Sequence, residues 1–329
     1  MAQDSGSPTT SRDREHGDRQ PPQDPPEGSP QGSPKGSPQG STDPRDLEDL
    51  KNLQNLKDRE DRRPLGRSGL VVSRIGLAGS YGIDADAVER AYHELGIRYF
   101  FVTPRMSGLA EGVRRLVRAG HRDRIVIASG VNVPFGWSVT REWEGVCRGL
   151  DLETVDVFHL FWVQAHWYVT GKTWPAMRKL KEEGKVRALA VSCHDRPMAR
   201  SLVDELELDA LMIRYNAAHR GAESEIFATL PQGPAARPGI IAYTATRWGM
   251  LLKPQGELGA MTAPECYRFV LSHPAVDVVL CGAASYDELR ESVLGAAEGP
   301  LPPERLAEVK RFGDVVRKTA RGKIGFTGL

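Results

Sequence analysis

Proton transfer needs side chains that titrate or donate near neutral pH, and the segment Gln164-Ala165-His166-Trp167-Tyr168 carries two of them. An imidazole and a phenol two residues apart, just past an apolar strand, are suitable proton donors. Loop residues without a catalytic role are the competing reading of His166 and Tyr168. His194 and Arg105 also follow apolar strands, and Arg105 could hold an anionic group. His159 lies inside an apolar run, where a core histidine bonded to a neighbouring polar group is expected. Four cysteines (Cys147, Cys193, Cys266, Cys281) show neither a C-x-x-C pair nor a histidine at zinc-ligand spacing. Free thiols and no metal site are therefore expected.

The elements that must position these residues alternate regularly. Apolar runs such as Ile125–Ser129, Val155–Trp162, Val186–Ser192, Gly239–Ala245 and Val276–Gly282 suit parallel strands buried on both faces. Between them lie amphipathic stretches bounded by caps: Asp84 or Asp86 before a helix to Leu95, Gly120 and Gly184 after helices, and Pro197 at a helix start. Eight such strand–helix units in roughly 235 residues predict an α/β (β/α)8 barrel (a TIM barrel). A doubly wound sheet is the alternative, but no Gly-x-Gly-x-x-Gly follows the first strand.

Residues 1–62 form a separate stretch, rich in Pro, Gly, Ser and charge, in which Gly-Ser-Pro recurs at 28–30, 32–34 and 36–38. Such a composition cannot bury a core, so a disordered tail is expected, able to contact a protein partner. Leu47, Leu50, Leu53 and Leu56 predict a short helix over 46–58 within it. The barrel then occupies 63–329. A net charge of +1 gives no global field for nucleic acid or a membrane surface. No apolar run reaches the ~18–20 residues of a membrane span, and the amino end has no secretory apolar region. These features lead to the expectation of a soluble, cytoplasmic chain.

Ordered motifs carry a family resemblance. Pro64-Leu65-Gly66-Arg67-Ser68-Gly69-Leu70, Gly184-Lys185-Val186-Arg187-Ala188, Arg214-Tyr215-Asn216, Ala242-Tyr243-Thr244-Ala245-Thr246-Arg247-Trp248-Gly249 and Cys281-Gly282-Ala283 stand in that order. Together they resemble the aldo/keto reductases over about Pro64–Ala297. The resemblance implies an N-terminal hairpin closing the barrel bottom and a nicotinamide cofactor, NADP(H) or NAD(H). It also implies carbonyl reduction of a small molecule by a tetrad of Asp, Tyr, Lys and His.

Those four positions fall on Phe101, Met106, Gly130 and Phe161, none of which can titrate. A slip of one residue would replace Phe161 by Trp162. On the cofactor side the resemblance assigns Ser192 to the carboxamide, Tyr243 to the stacking platform and Thr244 to the pyrophosphate. Arg290 is expected to substitute for a basic residue missing near Ala284, and Glu291 to face the adenine. Cys193 and Met212 replace an Asn and a Gln. Trp162, Trp167 and Trp248 could form an aromatic substrate wall. Three readings stand: an NADP(H)-dependent oxidoreductase with a non-standard proton donor (His166 or Tyr168), an inactive barrel serving as a cofactor sensor or protein-binding module, and a barrel turned to other chemistry.

Overall fold

The computed structural model describes residues 62–79, 81–132, 135–256 and 259–323. The expected tail and its 46–58 helix lie outside the described residues. Two short strands, β1 (Arg62–Pro64) and β2 (Val71–Ser73), pair antiparallel. Eight parallel strands follow and close into a barrel: β3 (Ile75–Ala78), β4 (Tyr99–Phe101), β5 (Val126–Val131), β6 (Val155–Val163), β7 (Val186–Cys193), β8 (Ala210–Arg214), β9 (Gly239–Tyr243) and β10 (Val278–Cys281). Sequential strands are neighbours throughout, and β10 pairs with β3 to complete the ring. The apolar run from Leu70 to Ala78 is divided at Arg74 between hairpin and barrel.

Helices cover the outside. The main ones are α1 (Ala85–Glu94), α2 (Ser107–Leu116), α3 (Gly136–Leu150), the single turn α4 (Trp167–Thr170), α5 (Thr173–Glu182) and α6 (Arg196–Glu205). The short α7 (Ala222–Glu225), α8 (Ala263–Leu271), α9 (Tyr286–Ala297) and the terminal α10 (Pro303–Lys323) complete the set. Asp84, Asp195, Thr262 and Ser285 cap four of them through their side chains, which satisfies backbone donors the helix cannot pair itself. Among the described residues no helix is long and apolar enough to cross a membrane.

The core has two parts, as strands buried on both faces require. One lies between strands and helices. The other fills the barrel, where Ala128, Ala188, Ala190 and Ala210 leave room for Tyr99 and Met212. The hairpin plugs the bottom. Leu65 packs so closely on Gly239 that a β-carbon at 239 would approach it to 2.6 Å. Three carboxylates stitch the lower strand ends. Asp156 accepts from the Ile127 N–H, Asp209 from Leu189 and Asp277 from Ile240, each at 2.8–2.9 Å. Each is also paired with a base: Arg122 and Arg187, Lys181, and Arg237. The opposite, carboxyl end of the strands stays open, and the candidate site is there.

Candidate functional site

A cleft of about 920 Å³ opens over the carboxyl ends of the strands. Its floor is aromatic. Phe101, from the end of β4, meets Phe161 of β6 edge-on at 5.4 Å and His159 at 5.6 Å. His159 and Phe161 stack at 17°. Alternation along β6 points both inward. His159 is fully buried, and its Nδ1 lies 3.2 Å from the Ser129 carbonyl. Burial pushes its pKa down to about 4, so the ring is neutral at physiological pH. It is a core histidine, as expected, lying beneath the floor and outside the cleft lining.

Gly130 shows that the missing lysine is more than a deleted side chain. A β-carbon there would stand 2.2 Å from the His159 carbonyl oxygen and 2.8 Å from the Phe161 ring. The backbone of β6 has closed over that position. Met106 lines the cleft at the start of α2 and packs on the core. The proton-transfer corner of the resemblance is thus an apolar floor.

The sequence left Phe161 and Trp162 as alternatives at one position, and the chain places both in the cleft. The β6–β7 register shifts between Leu160 and Val163, and Trp162 takes φ +52°. This bulge turns two successive side chains toward the cleft. It is held by Ser192, whose Oγ accepts the Trp162 N–H at 2.9 Å. The Ser192 hydroxyl proton remains able to donate, as a carboxamide oxygen would require.

Tyr243 ends β9 and forms the side wall. Its hydroxyl bonds the His194 imidazole and lies beside Arg214. Arg214 lies 4.9 Å over the Trp248 ring. Burial raises the Tyr243 pKa to about 12, against the opposing pull of Arg214. Burial, and then the Arg214 charge, lowers His194 below the ordinary histidine value of 6.5. The following turn is strained: Thr244, Arg247 and Trp248 all have φ between +52° and +58°. Four of the six non-glycine left-handed residues among those described, these three and Trp162, sit at this rim. Such strain concentrates at functional sites. Buried Asn216 holds the turn by donating to the Thr244 carbonyl at 2.8 Å.

At the far end, Glu291, Ser292 and Glu288 line the cleft beside Gly282 and Ala283. Glu288 accepts the Ala284 N–H at 2.9 Å, so a carboxylate stands at the start of α9. Tyr81 covers Gly79 and Gly282. A β-carbon at either would come within 2.5 Å of its ring, and Gly79 also takes φ +96°.

The expected residues divide clearly. Ser192, Tyr243, Thr244 and Glu291 line one cleft, with Met212 beside them. Arg290, Arg105, Trp167, His166 and Tyr168 do not line it. His166 is half exposed and faces Glu205 of α6 at 3.5 Å, while Tyr168 packs on Trp167. Cys193 is buried with its thiol toward the Val163 and Asp195 carbonyls, and burial pushes its pKa up to about 11. It cannot replace the carboxamide-binding Asn. The wall of tryptophans consists of Trp162 and Trp248. Arg214 is a charged lining residue to which no role was assigned beforehand. Its signal was present: a charge two positions after Met212 on an otherwise apolar strand must share Met212's face. Among the described residues no group of His, Cys, Asp and Glu could hold a metal ion, and the four cysteines are free.

A closed parallel barrel with its cleft at the carboxyl ends defines the class of barrel proteins that work at that face. The family model for aldo/keto reductases matches residues 84–262. The chain belongs to the aldo/keto reductase family. It is 23% identical to L-galactose dehydrogenase of Arabidopsis thaliana over 303 residues, covering 78% of this chain and 95% of that protein. Its fold is similar to that of the aldo-keto reductase AKR11C1 from Bacillus halodurans. The holo form matches with TM-score 0.64 and 19% identity, and the apo form with 0.61 and 20%; each match covers 76% of this chain and 95% of the other.

Proposed function

We propose that this barrel is an alcohol/carbonyl oxidoreductase that uses NAD(H) and handles the proton through His194 instead of the missing tetrad. The observation that carries the reading is the His194–Tyr243 hydrogen bond with Arg214 beside it, on the wall that the family resemblance assigns to the nicotinamide. When bound, the oxidised dinucleotide supplies the hydride acceptor. Ser192 and Thr244 would hold its carboxamide and phosphate, and Tyr243 would support its ring. His194, kept neutral by burial and by Arg214, is suited to take the hydroxyl proton of an alcohol. Trp162, Phe161 and Phe101 exclude water from the reacting end.

The choice of NAD(H) over NADP(H) rests on charge. Glu288 and Glu291 are the charged groups at the adenine end, and Arg290 is not among the lining residues. A 2′-phosphate there would face carboxylates without a basic partner.

The test is a fluorescence titration with NADH and NADPH, followed by turnover on a panel of alcohols. Tighter binding of NADH is expected, with oxidation reduced about 100-fold in His194→Gln. The oxidation rate should fall with acid, at a pH lower than an ordinary histidine would give, because His194 must be neutral to accept the proton and its pKa is lowered by burial and then by Arg214. Absence of binding at millimolar dinucleotide would sink the reading. The apolar floor favours a second reading, a barrel that binds dinucleotide without turnover. Binding with no activity on any alcohol, unchanged by His194→Gln, would establish that one.

A further inference from the structure

Arg214 carries a charge that nothing around it neutralises. Three other arginines with little exposure are paired with carboxylates: Arg237 with Asp277, Arg122 with Asp156, Arg268 with Glu298. Arg214 has no carboxylate within ion-pair distance among the described residues. Its contacts are the neutral Tyr243 hydroxyl and the Trp248 ring, and its buried Nε has no hydrogen-bond partner. Among the described residues it is also the one Lys or Arg that lines the cleft.

The surroundings add to this charge. Arg247 is 5% exposed behind the same turn, bonded to the His219 imidazole, with its own Nε unpartnered. Arg214 and Arg317 act together to lower the Arg247 pKa, with burial the larger cause. Burying unpaired positive charge is expensive, and the strained turn Thr244–Trp248 adds to the cost. A chain of net charge +1 has no general excess of base to explain the concentration.

We infer that Arg214 is the seat of an oxyanion, a carboxylate or phosphate group of the ligand that enters this cleft. A guanidinium that lines a cleft offers N–H donors in a planar arrangement matched to either group. Trp248 holds the fork in place by stacking on it, and His194 stands beside it through their shared partner Tyr243. The inference deepens the proposed function. If the anion belongs to the substrate, that substrate is an acid whose hydroxyl lies near its carboxylate. If it belongs to the dinucleotide, Arg214 holds the pyrophosphate.

The experiment titrates the full chain with sodium benzoate, inorganic pyrophosphate and neutral benzamide, read by tryptophan fluorescence and calorimetry. Saturable binding of at least one anion is expected, with none of benzamide. Arg214→Gln should weaken that binding by about tenfold or more, and Arg214→Lys by less. Benzoate binding that persists with NADH bound assigns the seat to the substrate. Pyrophosphate binding that NADH displaces assigns it to the dinucleotide. No saturable binding of either anion, or binding unchanged in a folded Arg214→Gln protein, overturns the inference. NADH titrated alone keeps the two readings apart. NADH binding without anion binding overturns only the seat, whereas anion binding without NADH binding overturns only the cofactor.

Discussion

Two residues of the floor show how far the site has moved from its family pattern. His159 is buried neutral, with its pKa lowered to about 4 by desolvation. In the unfolded chain it takes a proton below about 6.5, so the unfolded state binds more protons between those values. Stability is therefore lost as pH falls from 6.5 toward 4, by roughly 3 kcal/mol from this group. Urea unfolding of His159→Leu should show a shallower acid dependence over that window than the parent protein. The same sign applies to His219, lowered to about 3 by burial and then by Arg247. Gly130 supports a different prediction. Gly130→Lys should not restore tetrad chemistry. It should destabilise the fold by about 1–3 kcal/mol in denaturant titration, because the β-carbon meets the His159 carbonyl.

At the scale of elements, the barrel depends on side chains that complete its strand ends. Asp277, from the residue before β10, accepts the Ile240 N–H of β9 and both terminal nitrogens of buried Arg237. Asp277→Ala leaves a guanidinium buried and unpaired. A loss of about 3–5 kcal/mol is expected in urea unfolding. The alternation of strands and helices and some helix ends were legible in the sequence, because they depend on apolar period and local capping chemistry, while the hairpin was legible only through the family resemblance. Asp84 and the helix start near Pro197 are examples. The β6 bulge was not legible. Phe161 and Trp162 are equally apolar, and only the β6–β7 register, with Ser192 holding the Trp162 N–H, turns both into the cleft.

For the whole molecule, the consequence is linkage between ligand and fold. A ligand bound only to the native barrel stabilises it by about 2.7 kcal/mol at 100 times its Kd. Thermal melting with NADH should therefore rise more than with NADPH at equal concentration. Glu288→Gln should narrow that difference by removing a carboxylate from the adenine end. An equal shift by both dinucleotides, unaltered in Glu288→Gln, would remove the basis for the NAD(H) preference.

The sequence alone determined the barrel, through buried apolar runs at regular intervals, and its family resemblance set Phe101, Met106, Gly130 and Phe161 where a tetrad was expected. It also pointed to Ser192, Tyr243, Thr244 and Glu291, which share one cleft. Tertiary structure decided which titratable groups meet. His166 and Tyr168 lie near the rim in sequence, but their loop folds toward α6 and away from the cleft. His194, Tyr243 and Arg214 come from the ends of three neighbouring strands, β7, β9 and β8, and meet because those strands pair side by side, Arg214 opposite Tyr243. Spacing along a chain sets which face of a strand a side chain uses. Distances between strands belong to the closed sheet.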